Sequence, residues 1–281
     1  MSRIVHYTFL FFILCVMLAL VSCEPDKPKQ ETESLTPSAP IEPMVPMLPY
    51  TLVKKYGHDV TCFTEGFLFH DSKLYESTGS PGLPQTKSTI GLVNLEQGTF
   101  EKKVEIDRNQ YFGEGIVIVQ NTLYQLTYTN QVGFTYDAKT FEQKGKFSYA
   151  NREGWGMTYD GTHIIMSDGS NELTYVSPSD FTPVKTLAVS ENGFALDHLN
   201  ELEFINGFIY ANVWTTHFIV KIDPSTGKVV GKLDLTELYQ DSRKTNINLA
   251  ETNGIAFDSV QNKILVTGKL WPYIYEISFA H

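Results

Sequence analysis

One local pattern recurs five times along the chain, and few folds accommodate it. Each copy has a polar or aromatic residue, then Gly or Leu, then three to five strand-forming residues. A turn and a second strand ending in small polar residues follow. The copies begin at Glu65-Gly66, Glu114-Gly115, Trp155-Gly156, Glu201-Leu202 and Asn253-Gly254. Second strands are predicted at 73–78, 122–127, 163–167, 208–213 and 263–267. Asp160-Gly161 and Asn206-Gly207 suit tight hairpin turns. The copies lie roughly 40–50 residues apart, the length of a four-stranded propeller blade.

Third and fourth strands are predicted after each of the first four copies, at 88–95 and 100–106, 133–136 and 144–149, 172–176 and 184–189, and 218–222 and 229–235. Blade five has a third strand at 273–279 but no fourth. A strand at 50–55 stands unpaired ahead of the first copy. Pairing it with blade five closes the ring and removes an open sheet edge. The prediction is therefore all-β: a five-bladed β-propeller closed by an N-terminal strand. A β-sandwich with irregular insertions is the alternative. The long connection 236–252 has room for a short helix and is expected to form part of a lid.

In a hairpin, the start of the first strand and the end of the second lie at the same end. First strands of a propeller line its channel. One channel mouth should thus gather Glu65, Glu114, Trp155, Asn200 with Glu201, and Asn253. It should also gather 77–79, Tyr128, Asp168, Trp214, Lys269 and Trp271. All three tryptophans of the chain are in this set. Aromatic walls around a few convergent polar groups describe a small-ligand site. The plainer alternative is inter-blade packing by the tryptophans and strand capping by the carboxylates. Within Tyr111-Phe112-Gly113-Glu114-Gly115, the carboxylate at a strand mouth is a candidate general acid or base.

The remaining sequence bounds address and partners. Arg3 precedes an apolar stretch over 8–21, and Leu20-Val21-Ser22-Cys23 reads as a lipoprotein processing box. Residues 1–22 are expected to be removed as a lipoprotein signal peptide and Cys23 lipidated. Residues 24–48, rich in Pro, Glu, Lys, Ser and Thr, then form with Cys23 a flexible tether (23–48) ahead of a catalytic domain at 49–281. The expected location is the cell envelope, exported and lipid-anchored, on a periplasmic or outer-surface face. Cys62 has no cysteine partner in the mature domain and is expected to be a small buried residue. A net charge of −10 argues against nucleic acid. There is no His-Glu-x-x-His, no Gly-x-Ser-x-Gly and no clustered Cys/His, so no metal and no cofactor are expected.

Six ordered motifs resemble those of the plant-type glutaminyl-peptide cyclotransferases, or glutamine cyclotransferases. They are Phe63-Thr64-Glu65-Gly66, Tyr111-Phe112-Gly113-Glu114-Gly115, Glu153-Gly154-Trp155-Gly156, Leu199-Asn200-Glu201-Leu202-Glu203, Asn212-Val213-Trp214 and Thr267-Gly268-Lys269-Leu270-Trp271-Pro272. The resemblance spans about residue 50 to the end. It implies a five-bladed propeller enzyme that converts N-terminal glutamine of peptides or proteins to pyroglutamate, releasing ammonia without a catalytic metal. It also implies Glu114 as the catalytic carboxylate, Asn200 and Lys269 as polar site residues, and Phe112, Trp155 and Trp214 as pocket aromatics. Tyr128, Trp271 and Glu65 are the further candidate substrate contacts. Two departures stand out. Glu65 replaces the family's usual Gln, and Tyr128 stands where related chains often carry Trp. A second carboxylate should raise the proton affinity of Glu114. Lys269 or the Asn200 amide is expected to serve a developing oxyanion, unless Lys269 pairs with Glu65 or Glu114. The competing functional reading is a non-catalytic envelope propeller that binds peptides or scaffolds proteins.

Overall fold

A computed structural model describes residues 44–281. The signal segment, Cys23 and the tether up to residue 43 lie outside the described residues. Among those described, no helix is long and apolar enough to cross a membrane.

The chain enters through β1 (Thr51–Gly57). Blade one is β2 (Thr64–His70), β3 (Lys73–Thr78), β4 (Thr89–Asn94) and β5 (Thr99–Glu105). Blade two is β6 (Gly113–Val119), β7 (Thr122–Thr127), β8 (Val132–Asp137) and β9 (Gln143–Ser148). Blade three is β10 (Met157–Tyr159), β11 (Ile164–Met166), β12 (Glu172–Val176) and β13 (Pro183–Ala188). A two-stranded hairpin follows, β14 (Ser190–Glu191) with β15 (Phe194–Ala195), which the repeat did not foretell. Blade four is β16 (Leu199–Ile205), β17 (Phe208–Val213), β18 (Phe218–Ile222) and β19 (Val229–Asp234). Helix α1 (Thr236–Thr245) fills the expected long connection. Blade five is β20 (Thr252–Asp258), β21 (Lys263–Gly268) and β22 (Tyr273–Ser278), with β1 as its fourth strand.

The predicted closure is therefore the observed one. β1 runs antiparallel to β22, from Thr51 opposite Ser278 to Gly57 opposite Tyr273. It is the exposed outer strand of its sheet, and only Tyr56 is buried, its hydroxyl donating to Glu276 at 2.6 Å. Lys54 and Lys55 on this edge discourage further strand pairing.

Alternation along each strand places apolar side chains on both faces of every sheet, and the core forms where neighbouring blades meet. Five buried clusters occupy the five seams. Ile90 and Ile116 meet between blades one and two, and Leu126 and Ile164 between two and three. Leu173 and Leu202 meet between three and four, and Tyr210 and Tyr275 between four and five. Phe67 and Leu265 close the ring between five and one.

One irregularity repeats around the channel. The inner strand slips its register against the second strand between Thr64 and Gly66, Gly113 and Ile116, Leu199 and Leu202, and Thr252 and Ile255. In blade three, just before its short β10, Ser167 faces two residues at once: Trp155 N donates to Ser167 O and Ser167 N to Gly156 O, both at 3.0 Å. Each bulge frees main-chain groups, and the adjoining blade binds them. Ser77 Oγ donates to Glu114 O at 2.6 Å, Gly115 N to Trp155 O at 2.7 Å, and Ser167 Oγ to Asn200 O at 2.8 Å. Gly254 N donates to Asn212 Oδ1 at 2.9 Å, and Asn253 Nδ2 to Thr64 O at 3.0 Å. These bonds make a closed belt with one link per seam. Gly115 permits its link, because a Cβ there would lie 2.5 Å from Trp155 O.

The N-terminal boundary differs from expectation. The last residues assigned to the tether lie against blade four. Leu48 N donates to Lys232 O at 2.7 Å and Lys232 N to Pro46 O at 3.0 Å, in a parallel bridge at Met47. The free edge of β19 supplies the backbone partners, and the Leu48 side chain fills the space above Gly231. The composition that suggests a tether thus stops describing the chain before residue 48.

Ser167 tests the belt. Its hydroxyl is fully buried, donates to Asn200 O and accepts from Gly156 N at 2.8 Å. Ser167→Ala leaves both groups unpaired and should cost about 1–3 kcal/mol of stability. Chemical denaturation of the domain reads this directly, and an unchanged midpoint would show that the link carries nothing.

Candidate active site

The belt determines what faces the channel mouth. A bulge turns a side chain out of the alternation of its strand. Glu65, Glu114 and Asn200 all sit at bulges, and all three line one pocket. Lys269 joins them from the turn after β21, where Leu270 adopts φ 60° and reverses the chain. These four buried side chains form the floor. Phe63, Phe112, Trp155 and Trp214 form the walls, and Pro81, Tyr128 and Glu251 the rim. The cavity holds about 310 Å³, near the lower end for small-ligand sites.

The walls are fixed by ring-to-ring contact. Trp155 and Trp214 meet edge to face at 5.6 Å, and Phe112 meets Phe63 at 6.3 Å and Tyr128 at 6.0 Å. The indole Nε1 of Trp155 donates to Glu153 Oε2 at 2.9 Å. Phe112 lies flat against Gly79, where any Cβ would come within 2.2 Å of the ring. The small residue at the end of β3 thus sets the depth of the wall.

The floor is electrostatically unusual. Lys269 Nζ lies 2.8 Å from Glu65 Oε1 and 4.7 Å above the Phe63 ring. Asn253 Nδ2 donates to the other Glu65 oxygen at 3.3 Å. The carboxyls of Glu65 and Glu114 act on each other's proton affinity across the floor. Burial, and then the charge of Glu65, push the proton affinity of Glu114 well above the usual carboxylate range. Burial likewise raises Glu65, to about 7, against the opposing pull of the Lys269 ammonium. Burial alone would depress Lys269, but the charges of Glu65 and Glu114 outweigh it and hold the amine protonated. The two carboxyls are coupled, and the direct pairing of Lys269 with Glu65 favours the proton on Glu114. The Asn200 amide is buried and makes no hydrogen bond, and its Oδ1 is unpartnered. Such a group beside a cavity marks a place for a ligand.

Of the residues expected here, Glu65, Glu114, Asn200, Lys269, Phe112, Trp155, Trp214 and Tyr128 converge on this pocket. Trp271 does not. It is fully buried in the seam between blades four and five, its Nε1 donating to Ala250 O at 3.1 Å and its ring edge-on to Tyr275 at 6.0 Å. The reversal at Leu270 sends Lys269 to the pocket and Trp271 to the core, so two residues close in sequence part company. Asn253 supports Glu65 from beneath. Glu201 turns into the channel, where its carboxylate accepts from Phe67 N at 3.2 Å and Ile255 N at 2.9 Å. Asp168 is bound to Ser170 and Asn151. Phe63, Pro81 and Glu251 were missed. Phe63 opens the Phe-Thr-Glu-Gly motif and was legible there, whereas Pro81 and Glu251 lie in irregular connections without a signal.

A second cluster, His58, Cys62 and Glu76, is buried with donor atoms within 4.8 Å of one another. It has the chemistry of a metal site, but its donors are already paired. His58 Nδ1 lies 2.9 Å from Trp271 O, its Nε2 lies 3.1 Å from Glu76 Oε2, and Thr64 Oγ1 donates to Glu76 Oε1 at 2.7 Å. Burial opposes a charge on His58, but Glu76 and then the Trp271 carbonyl raise its proton affinity above the usual imidazole range. The cluster clasps blade five to blade one, and none of its members lines the pocket.

Known proteins resemble this chain in sequence and fold. A family model described as "Glutamine cyclotransferase" matches residues 16–279. A glutaminyl-peptide cyclotransferase of Arabidopsis thaliana is 36% identical over 228 residues, covering 80% of this chain and 70% of the relative. The crystal structure of Myxococcus xanthus glutaminyl cyclase aligns with a TM-score of 0.74 at 32% identity, covering 84% of this chain and 98% of that one. The chain belongs to the glutamine cyclotransferase family.

Proposed function

We propose that the protein cyclises N-terminal glutamine of peptides or proteins to pyroglutamate, releasing ammonia. The observation that carries this reading is the buried Glu114 carboxyl, its proton affinity raised by burial, facing an aromatic pocket of about 310 Å³. Nucleophile and electrophile belong to one substrate residue. Holding the glutamine folded, with its α-amine against its own side-chain carbonyl, is worth several kcal/mol. The four wall aromatics grip the methylene chain and exclude water. The unpartnered Asn200 amide receives the polar end of the side chain.

The proton path is short. The neutral α-amine attacks the amide carbon, forming the ring C–N bond. Glu114 donates its proton to the departing nitrogen as the old C–N bond breaks, and ammonia leaves. The resulting carboxylate takes the proton that the ring nitrogen must lose, restoring the acid. One side chain is general acid and then base. Lys269, held against Glu65, keeps positive charge beside the carboxylate formed in mid-reaction and stabilises it. This supporting role takes precedence over direct service to an oxyanion. No step requires a metal ligand from the His58 cluster.

The N-terminal sequence supports an envelope location with Cys23 as the lipid-bearing residue. Labelled fatty acid should enter the wild-type chain and fail to enter Cys23→Ser, and equal labelling of the two would remove this address.

Two substitutions test the chemistry. Glu114→Gln should lower kcat/KM on a glutaminyl dipeptide by about 10² to 10⁴-fold while the domain stays folded. Ammonia release near the wild-type rate would overturn the proposal and favour the non-catalytic reading. Glu65→Gln restores the family's usual amide and removes the charge that raises Glu114. Its activity should remain within about tenfold of wild type. The ionisation seen in kcat/KM should move to lower pH, because Glu114 then loses its proton more readily. An unmoved profile would show that Glu65 does not tune Glu114.

A further inference from the structure

We propose that Glu251 reads the residue following the substrate glutamine and selects a cationic side chain there over an acidic one. The inference rests on the cyclisation reading and concerns what that pocket accepts at its rim. The pocket has a clear depth order. Glu65, Glu114, Asn200 and Lys269 are buried, whereas Pro81 and Tyr128 are exposed and Glu251 is half-buried. A glutamine whose amine reaches Glu114 points its following residue toward the more open lining residues, of which Glu251 is the acidic one.

At that level the pocket carries an unbalanced negative charge. Lys269 is the one cation among the described lining residues, and Glu65 holds it at 2.8 Å. Glu251 lines the pocket with a carboxylate that makes no hydrogen bond or ion pair among the described residues. Its charge acts on Glu65 and Lys269 without forming an ion pair with the amine, and its main chain accepts from Lys269 N at 2.9 Å. That pairing, with Ala250 N donating to Lys269 O at 2.9 Å, fixes the Glu251 backbone to the segment that carries the floor lysine. Glu153 adds a second carboxylate nearby, but it does not line the pocket and is held by the Trp155 indole. Glu251 is the carboxylate that faces the outer part of the pocket without a hydrogen bond among the described residues. Tyr128 and Pro81 offer apolar surface to the stem of a long basic side chain.

The experiment compares kcat/KM for C-terminally amidated peptides beginning Gln-Lys, Gln-Ala and Gln-Glu, at low ionic strength. Wild type should favour Lys over Glu by about tenfold, with Ala between, as expected for single charges a few ångströms apart at a wet surface. Glu251→Gln should shrink the Lys-to-Glu ratio to about twofold or less, and Glu251→Lys should invert it. The difference should appear in KM, with kcat for each peptide little changed. A wild-type ratio near one, or a ratio that both variants leave intact, would overturn the assignment. Failure to turn over any of the three peptides would instead sink the cyclisation reading, so the two outcomes are distinct.

Discussion

The belt of five hydrogen bonds between neighbouring blades is the constraint on which this molecule turns. A propeller strand that kept perfect register with its hairpin partner would present its side chains in strict alternation, half to one seam and half to the other. The break at each inner strand interrupts that alternation at one height. It also strands main-chain donors and acceptors that cannot be left unpaired in a buried channel. Each is bound across a seam, as Ser77 binds Glu114 O and Ser167 binds Asn200 O. The same bonds therefore hold the ring together and aim Glu65, Glu114 and Asn200 into one cavity. Stability and site geometry are properties of the same interactions.

The chemistry of the floor follows from how few charges are allowed there. Two carboxyls and one ammonium share the buried floor of the pocket, and only one negative charge is compensated by Lys269. The least costly arrangement keeps one carboxyl neutral, and burial together with the Glu65 charge assigns that state to Glu114. A carboxylic acid held neutral near pH 7 is a ready proton donor. The Glu65 charge beside it therefore acts on the strength of that acid. The His58 and Glu76 pair at the adjoining seam is a separate ionic contact with a separate task, joining the two blades that carry Glu65 and Lys269.

Much of the fold was legible because it is written locally. Five hairpins, their turns and the unpaired first strand are patterns within short windows, and their sum leaves a ring with one vacancy for β1. The bulges were not legible, since they arise from pairing between strands and not from the propensity of either. Glycines beside Glu65 and Glu114 are their only trace. Trp271 was misplaced because proximity in sequence stood in for proximity in space, and the left-handed turn at Leu270 breaks that link. Glu251 escaped notice because the connection holding it has no period. The strap at 45–48 was read as tether because its composition is that of the residues before it, while its partner edge on β19 lies far along the chain.

The pairing of β1 with β22 has a temporal meaning. Tyr56 and Glu276 are 220 positions apart, so the first strand to leave the ribosome waits for nearly the whole domain before its neighbour exists. Blades one to four can each gather their strands as translation proceeds, but the last sheet cannot. Long-range closure of this kind makes folding slow and leaves edges bare in the interim. A ring unable to lock until its final strand arrives stays open throughout its synthesis.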